Sequence, residues 1–262
     1  MVAFIPKTKA QEIIEQISVF GRKDASEFTI HRWKIHAKSL EASNFLESKR
    51  LQAIIAVYEN DFETAYKNFD ASLSRSDNKN SMIYSDYGQA LLMHGRGEEA
   101  IEFFLKAFDA NPSMFVLERL LSSSASFLFL DPLSKVISVI EKYDINQDRY
   151  VPLIEQYQNS IKRKLEYLEE INVSIESYRL VINTSDYVLY KNFYTQTKYS
   201  YHLHDDCLNV IIYPESLSEE DISKLNDDFI ANLVELDIPN DDLMKISVYF
   251  SNDVYLQEKV VA

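Results

Sequence analysis

The sequence predicts an α+β protein in two parts, an N-terminal all-α helical repeat array followed by a small C-terminal α+β domain. Three observations predict it. A pattern of small and aromatic residues recurs at steps of 35 and 36 positions over roughly residues 45–143. One isolated amphipathic stretch follows. From Val173 onward glycine is absent, while tyrosine and β-branched residues become dense. The expected division is 1–148 for the helical repeats, 149–172 for a capping or linker helix, and 173–262 for an acidic α+β domain.

The repeat is clearest in YSDYGQALLMHGRGEEAIEFFLKAFDANP, Tyr84 to Pro112. Gly88 and Ala100 lack bulk, so two helices can approach there, while Tyr84, Leu91 and Phe104 fill the space around the contact. Gly95 marks the turn between the helices, and Pro112 stops the second one. Ala53, Ala65 and Phe69 precede Gly88, Ala100 and Phe104 by 35 positions, and Ser124, Val136 and Ile140 follow them by 36. The turns Asn60-Asp61-Phe62 and Asp131-Pro132 move in step with these trios. Upstream, Ile13, Ile14, Ile17 and Phe20 line one helical face ending at Gly21, and Ala25 to Leu40 can form its partner. In these residues the chain resembles the tetratricopeptide repeat family, whose units are helix pairs with large and small residues at fixed places.

In RYVPLIEQYQNSIKRKLEYLEEIN the apolar residues Ile154, Tyr157, Ile161, Leu165, Leu168 and Ile171 recur every three or four positions, which predicts one amphipathic helix. Such a helix can seal the end of a repeat array or serve as a dimerisation seam. The runs SIESYRLVI, DYVLYKNFYT, KYSYHLH and LNVIIYP then read as strands. Ser218 is placed to cap a helix over Glu219–Leu236 with Ile222, Leu225, Phe229, Leu233 and Leu236 on its buried face. Met244 to Phe250 reads as a last strand.

Composition narrows the chemistry. The chain has 262 residues, a net charge of −14 and one cysteine. Residues 205–262 hold 3 basic against 14 acidic residues, whereas residues 1–60 are slightly basic. No basic stripe suits a phosphate backbone, so nucleic acid is not an expected partner. No apolar run reaches the roughly 18 residues of a membrane span, and MVAFIPKTKAQEII lacks the apolar core of a signal peptide. A lone cysteine fits the cytoplasm. Four glycines, with only Gly95-Arg96-Gly97 locally rich, argue against Rossmann and P-loop cradles and leave no cofactor expected.

The stretch YSYHLHDDC is the densest in chemical groups. On a strand His202, His204 and Asp206 share a face, a sparse possible metal triad. The alternative is a polar strand end running into an Asp205-Asp206 turn, with Cys207 a small buried hydrophobe. Asp205 and Asp206 would also raise a Cys207 thiol's pKa, which opposes a nucleophile. Ser122-Ser123-Ser124 reads as close helix packing.

The repeat resemblance implies a concave groove that binds a partner peptide or helix, lined by the first helix of each pair. At the matching positions stand Arg50, Ile54 and Tyr58, then Met82, Asp86, Gln89 and Met93, then Arg119 and Phe127, with Val57 and Ser123 beside them. The family's carboxylate clamp is missing, since Asp86 and Gln89 occupy its central places. The expected function is therefore a non-catalytic adaptor that binds another protein. Two alternatives stand beside it. One is a chaperone or antagonist that sequesters a partner, its acidic C-terminal part facing a basic surface. The other is an enzyme with a site near His202, His204 and Asp206.

Overall fold

Close approach between helices organises the first half of the chain. In this computed structural model, which describes residues 8–19, 23–77, 79–143, 147–195, 197–204 and 206–252, the helices follow one another as α1 (Lys9–Val19), α2 (Glu27–Ser39), α3 (Phe45–Tyr58), α4 (Phe62–Arg75), α5 (Ser81–Met93), α6 (Gly97–Ala110), α7 (Met114–Phe127) and α8 (Asp131–Tyr143). Asn44, Asp61, Asn80 and Ser113 each start their helix by accepting a backbone N–H two or three residues into the first turn. A Cβ at Gly88 would stand 2.8 Å from the Phe104 ring and 3.1 Å from the Ala100 carbonyl, so α5 and α6 touch where side-chain bulk is absent. The corresponding Ala53, Ala65, Ser124 and Val136 are fully buried. Successive pairs are joined by aromatic contact, Phe69 of α4 stacking on Tyr87 of α5 at 5.0 Å. The expected helix stop at Phe20 and Gly21 lies outside the described residues.

α9 (Gln147–Glu170) is the amphipathic helix expected after the repeats, and it packs on α7 and α8 with Ile154, Ile161 and Leu168 buried. The next element differs from the expectation. SIESYRLVI and DYVLYKNFYT form one helix, α10 (Ile175–Asn192), instead of strands. Its β-branched and tyrosine content favours strand, but a local cap and tertiary burial override it. Ser174 caps the first turn by accepting the Ser177 N–H, and Tyr178, Val181, Ile182, Ser185 and Leu189 form a buried stripe at helical spacing.

α10 lies across the repeats and is bonded to the same place in each. Tyr178 Oη donates to the Ser126 carbonyl at 2.9 Å and Arg179 Nε to the Phe127 carbonyl at 2.9 Å, at the end of α7. Four residues on, Asn183 Oδ1 accepts the Gly97 N–H at 2.9 Å, at the start of α6. At the far end the Lys191 carbonyl accepts from Asn60 Nδ2 at 3.0 Å, in the turn between α3 and α4. At about 1.5 Å per residue, an 18-residue helix reaches across three pairs.

The chain then forms β1 (Thr197–His204) and β2 (Cys207–Pro214), paired antiparallel, with β3 (Ile246–Phe250) parallel to β2, in sheet order β1-β2-β3. Between β2 and β3 run α11 (Glu219–Leu233) and the single turn α12 (Asn240–Leu243). α11 opens on a capping box, Ser218 with Asp221, and buries Ile222, Leu225 and Phe229 against α10 and β3. It ends three residues before Leu236, and Met244 is 82% exposed ahead of β3, not part of the strand. The expected coarse architecture, a helical array with a small C-terminal α+β part, is what the chain adopts. No described helix is long and apolar enough to cross a membrane.

Of the described glycines Gly88, Gly95 and Gly97, Gly97 is the most closely approached. A Cβ there would sit 2.2 Å from the Phe127 ring, which is itself fully buried. Gly97→Ala is expected to cost about 1–3 kcal/mol through overpacking, against a helix-propensity gain of roughly 1 kcal/mol. Urea unfolding checks it: a midpoint equal to the wild type would mean that Phe127 moves aside freely.

Candidate binding cavity

Between the array and the C-terminal elements the structure leaves a cavity of about 1140 Å³. Ile54 of α3, Asp86, Gln89 and Met93 of α5, and Ser122, Ser123 and Arg119 of α7 line one side. Asp186 and Tyr190 of α10, Tyr194, and Tyr199 and Tyr201 of β1 line the other, while α9 contributes Gln156, Tyr157, Ser160 and Lys164. Among the lining residues Ser18, Glu118, Ser122, Gln156, Ser160 and Lys198 are exposed, so the cavity opens to solvent.

The groove residues expected from the sequence divide into two groups. Ile54, Asp86, Gln89, Met93 and Arg119 meet at the cavity wall together with Val57 and Ser123. The other four do not line it. Arg50 is 9% exposed and is taken up by its neighbours, with Nε 2.6 Å from Asp86 of the next pair and Nη1 3.2 Å from Glu47 of its own helix. Tyr58 is buried edge-on against Trp33 at 5.5 Å, and its hydroxyl accepts the Ala25 N–H at 2.9 Å. Phe127 is sealed under Gly97, and Met82 points outward at 56% exposure. α10 and β1 stand opposite the five that do line it, which leaves the central part of that face hollow.

Charge in the cavity is held by a few ties. Asp86 is clamped by Arg50 and, at 3.9 Å, by Arg119, whose Nη1 also donates to the Ser85 hydroxyl at 2.9 Å. Across the cavity Tyr199 Oη donates to Asp186 in a short hydrogen bond. Burial pushes the Asp186 carboxyl up to about 7, and the Tyr199 bond offsets this only in part. Burial also raises the Tyr194 and Tyr201 hydroxyls to about 12. The Tyr201 hydroxyl sits beside Ser126 and Tyr178 without a hydrogen bond of ordinary geometry. Lys164 is 8% exposed, its Nζ 3.2 Å from the Tyr201 ring centroid. Burial alone brings its amine down to about 7.

His202 and His204 lie elsewhere. Alternation along β1 puts Ser200, His202 and His204 on the face opposite Tyr199 and Tyr201. Ser200 Oγ and His202 Nε2 are 2.8 Å apart, but Ser200 is buried at 5% exposure. His204 and Asp206 are exposed at the strand end, and Asp205 lies outside the described residues. Among the described residues no group of three His, Cys, Asp or Glu is arranged to hold a metal ion. Cys207 is half-buried at the start of β2, opposite His204.

Sequence reasoning missed Lys164, Asp186 and the cavity tyrosines. Lys164 had a signal: the spacing 154, 157, 161, 164, 168, 171 keeps a strict three-four rhythm, and Lys164 stands in it where Leu165, only half-buried, was expected. Asp186 was hidden inside a segment expected to be strand.

No family model, no curated protein and no solved structure matches the chain.

The titration of Asp186 has a definite sign. Between about pH 4 and pH 7 the unfolded carboxyl has lost its proton while the folded one keeps it, so stability falls as pH rises through that window. Asp186→Asn is expected to remove that fall and to be the more stable protein at pH 8. Urea titrations at pH 5, 6, 7 and 8 check it, and parallel curves for the two proteins would refute the shift.

Proposed function

We propose that this protein is a non-catalytic binding protein, an adaptor-like module in which a tetratricopeptide-like array and its C-terminal elements hold a segment of another protein. The observation that carries the reading is the cavity of about 1140 Å³, because both halves of the chain build its walls. Small-molecule pockets run to about 300–1,000 Å³, so a space of this size suits a short peptide or the end of a helix. Its lining is mixed: Ile54, Met93 and Phe115 offer apolar contact, and Gln89, Arg119 and the tyrosines offer hydrogen bonds. The free Cys207 suits the cytoplasm as its compartment.

A second reading has an observation of its own. Ile230 and Val234, one turn apart on or just after α11, are 60% and 75% exposed within the most acidic region of the chain. That surface suits a chaperone or antagonist that covers a partly basic partner.

Selection of a random displayed peptide library on the purified protein separates the two. Ser122→Trp, at an exposed position in the cavity mouth, is expected to fold with an unchanged melting temperature and to lose the selected peptides at least tenfold. Peptides that bind Ser122→Trp as tightly but lose affinity for Val234→Lys would move the contact to α11. A library that yields no enriched peptide would sink the adaptor reading.

A further inference from the structure

Lys164 is an unusual residue to find at the bottom of a cavity. An ammonium group taken out of water is costly unless a counter-charge accompanies it. Among the described residues Lys164 forms no ion pair, and its only close partner is the face of Tyr201. A solvated face could have carried it, as it carries the neighbouring Lys162 and Arg163, both exposed. Instead it replaces an apolar residue in the buried stripe of α9.

The surroundings are arranged as an approach to it. On α9, Gln156, Ser160 and Lys164 recur every four residues, so they form one stripe running from the exposed mouth to the buried amine. On α7, Ser122 and Ser126 form a matching stripe, the first exposed and the second 8% exposed. Hydroxyl and amide groups therefore lead from the cavity's edge to the buried Lys164, with Tyr157 and Tyr201 as aromatic surface around it. The other two described cations of the lining, Arg119 and Lys198, lie beside Asp86 and Glu215.

We propose that the inner end of this cavity is a carboxylate-binding subsite, in which the Lys164 ammonium pairs with a ligand carboxylate whose apolar body lies against Tyr157 and Tyr201. The subsite rests on the cavity being a place of binding and names what its occupant carries. A carboxylate fits better than a phosphate for two reasons. Among the described residues Lys164 supplies one positive charge without an acidic partner, while Arg119 and Lys198 stand beside Asp86 and Glu215. Glu118 adds a negative charge to the lining, so a second negative charge on the ligand meets no cation of its own. The carboxylate can belong to a small organic acid or to a peptide.

Calorimetry with phenylacetate and its uncharged isostere phenylacetamide tests the subsite on the wild-type protein. Phenylacetate is expected to bind at least tenfold tighter at pH 6. The advantage should shrink as pH rises to 8.5, with proton uptake on binding above neutrality because the ligand returns the amine to its charged form. Lys164→Met, which keeps length and apolar character, is expected to fold and to bind the two probes equally. A second pair, Gly-Gly-Phe and its C-terminal amide, separates the sources: discrimination only within the peptide pair means a peptide carboxylate, and discrimination with phenylacetate means a small acid. Equal binding of acid and amide in both pairs overturns the proposal, as does undiminished discrimination in Lys164→Met. Tighter binding of phenyl phosphate than of phenylacetate overturns the choice of carboxylate. If the peptides selected on the wild type are lost in Ser122→Trp while acid and amide bind alike, the subsite falls and the adaptor reading stands. If acid discrimination holds and no peptide is enriched, the adaptor reading falls and the subsite stands.

Discussion

Everything in the C-terminal half depends on where α10 lies. A helical array exposes the turn ends of its pairs, each with backbone groups that need partners. α10 supplies partners to three such ends along one of its faces, through Tyr178 and Arg179, Asn183, and the carbonyl of Lys191. The bond at Gly97 is the most telling. Arg96 makes no side-chain cap for α6, and Asn183 performs that role from another helix. Gly95 follows from the same contact, whereas Gly97 is required by the Phe127 ring. Gly95 has φ +70, and a Cβ on it would lie 3.1 Å from the Asn183 carbonyl and 3.3 Å from Tyr187 Cβ.

Fixing α10 also fixes the sheet. β1 starts five residues after α10 ends, and the Tyr199–Asp186 bond ties its first half back to the helix. The register of β1 then decides which face meets the array. Tyr199 and Tyr201 face inward, and Ser200, His202 and His204 face away. A shift of one residue would bury two histidines among tyrosines and expose the ring that Lys164 covers. The cavity is thus what remains between two rigid surfaces whose separation is set at the turn ends rather than at the concave face.

The helix pairs were legible in the sequence because their contacts are local and unforgiving. Gly88 must be small beside Phe104, and Ala53, Ala65 and Ala100 must be small for the same reason, so 35-residue spacing is visible without any tertiary knowledge. The central wall of the cavity followed from the same spacing, since Ile54, Asp86, Gln89, Met93 and Arg119 are on the first helices of their pairs. α10 was not legible in that way. Its tyrosines and valines favour strand by propensity, and its helical state is decided by burial against partners more than fifty residues away. With α10 misplaced, no sequence argument could see that Asp186 would face the groove, while Arg50, Tyr58 and Phe127 are taken up by Asp86, Trp33 and Gly97 within the array itself.

Lys164 and Asp186 line one cavity and yet are not each other's counter-ion. Burial is the dominant force on both: it favours the neutral amine on one side and the neutral acid on the other, each reaching about 7. Below that pH Lys164 is charged and Asp186 neutral; above it the reverse holds. Burial thus opposes the charged form of both groups, and no direct pairing between them offsets it. An apolar pair at these positions would fold with less strain on solvation, as buried ion pairs replaced by hydrophobic residues often do. An anion beside them favours the charged Lys164 and the neutral Asp186, and a cation favours the reverse.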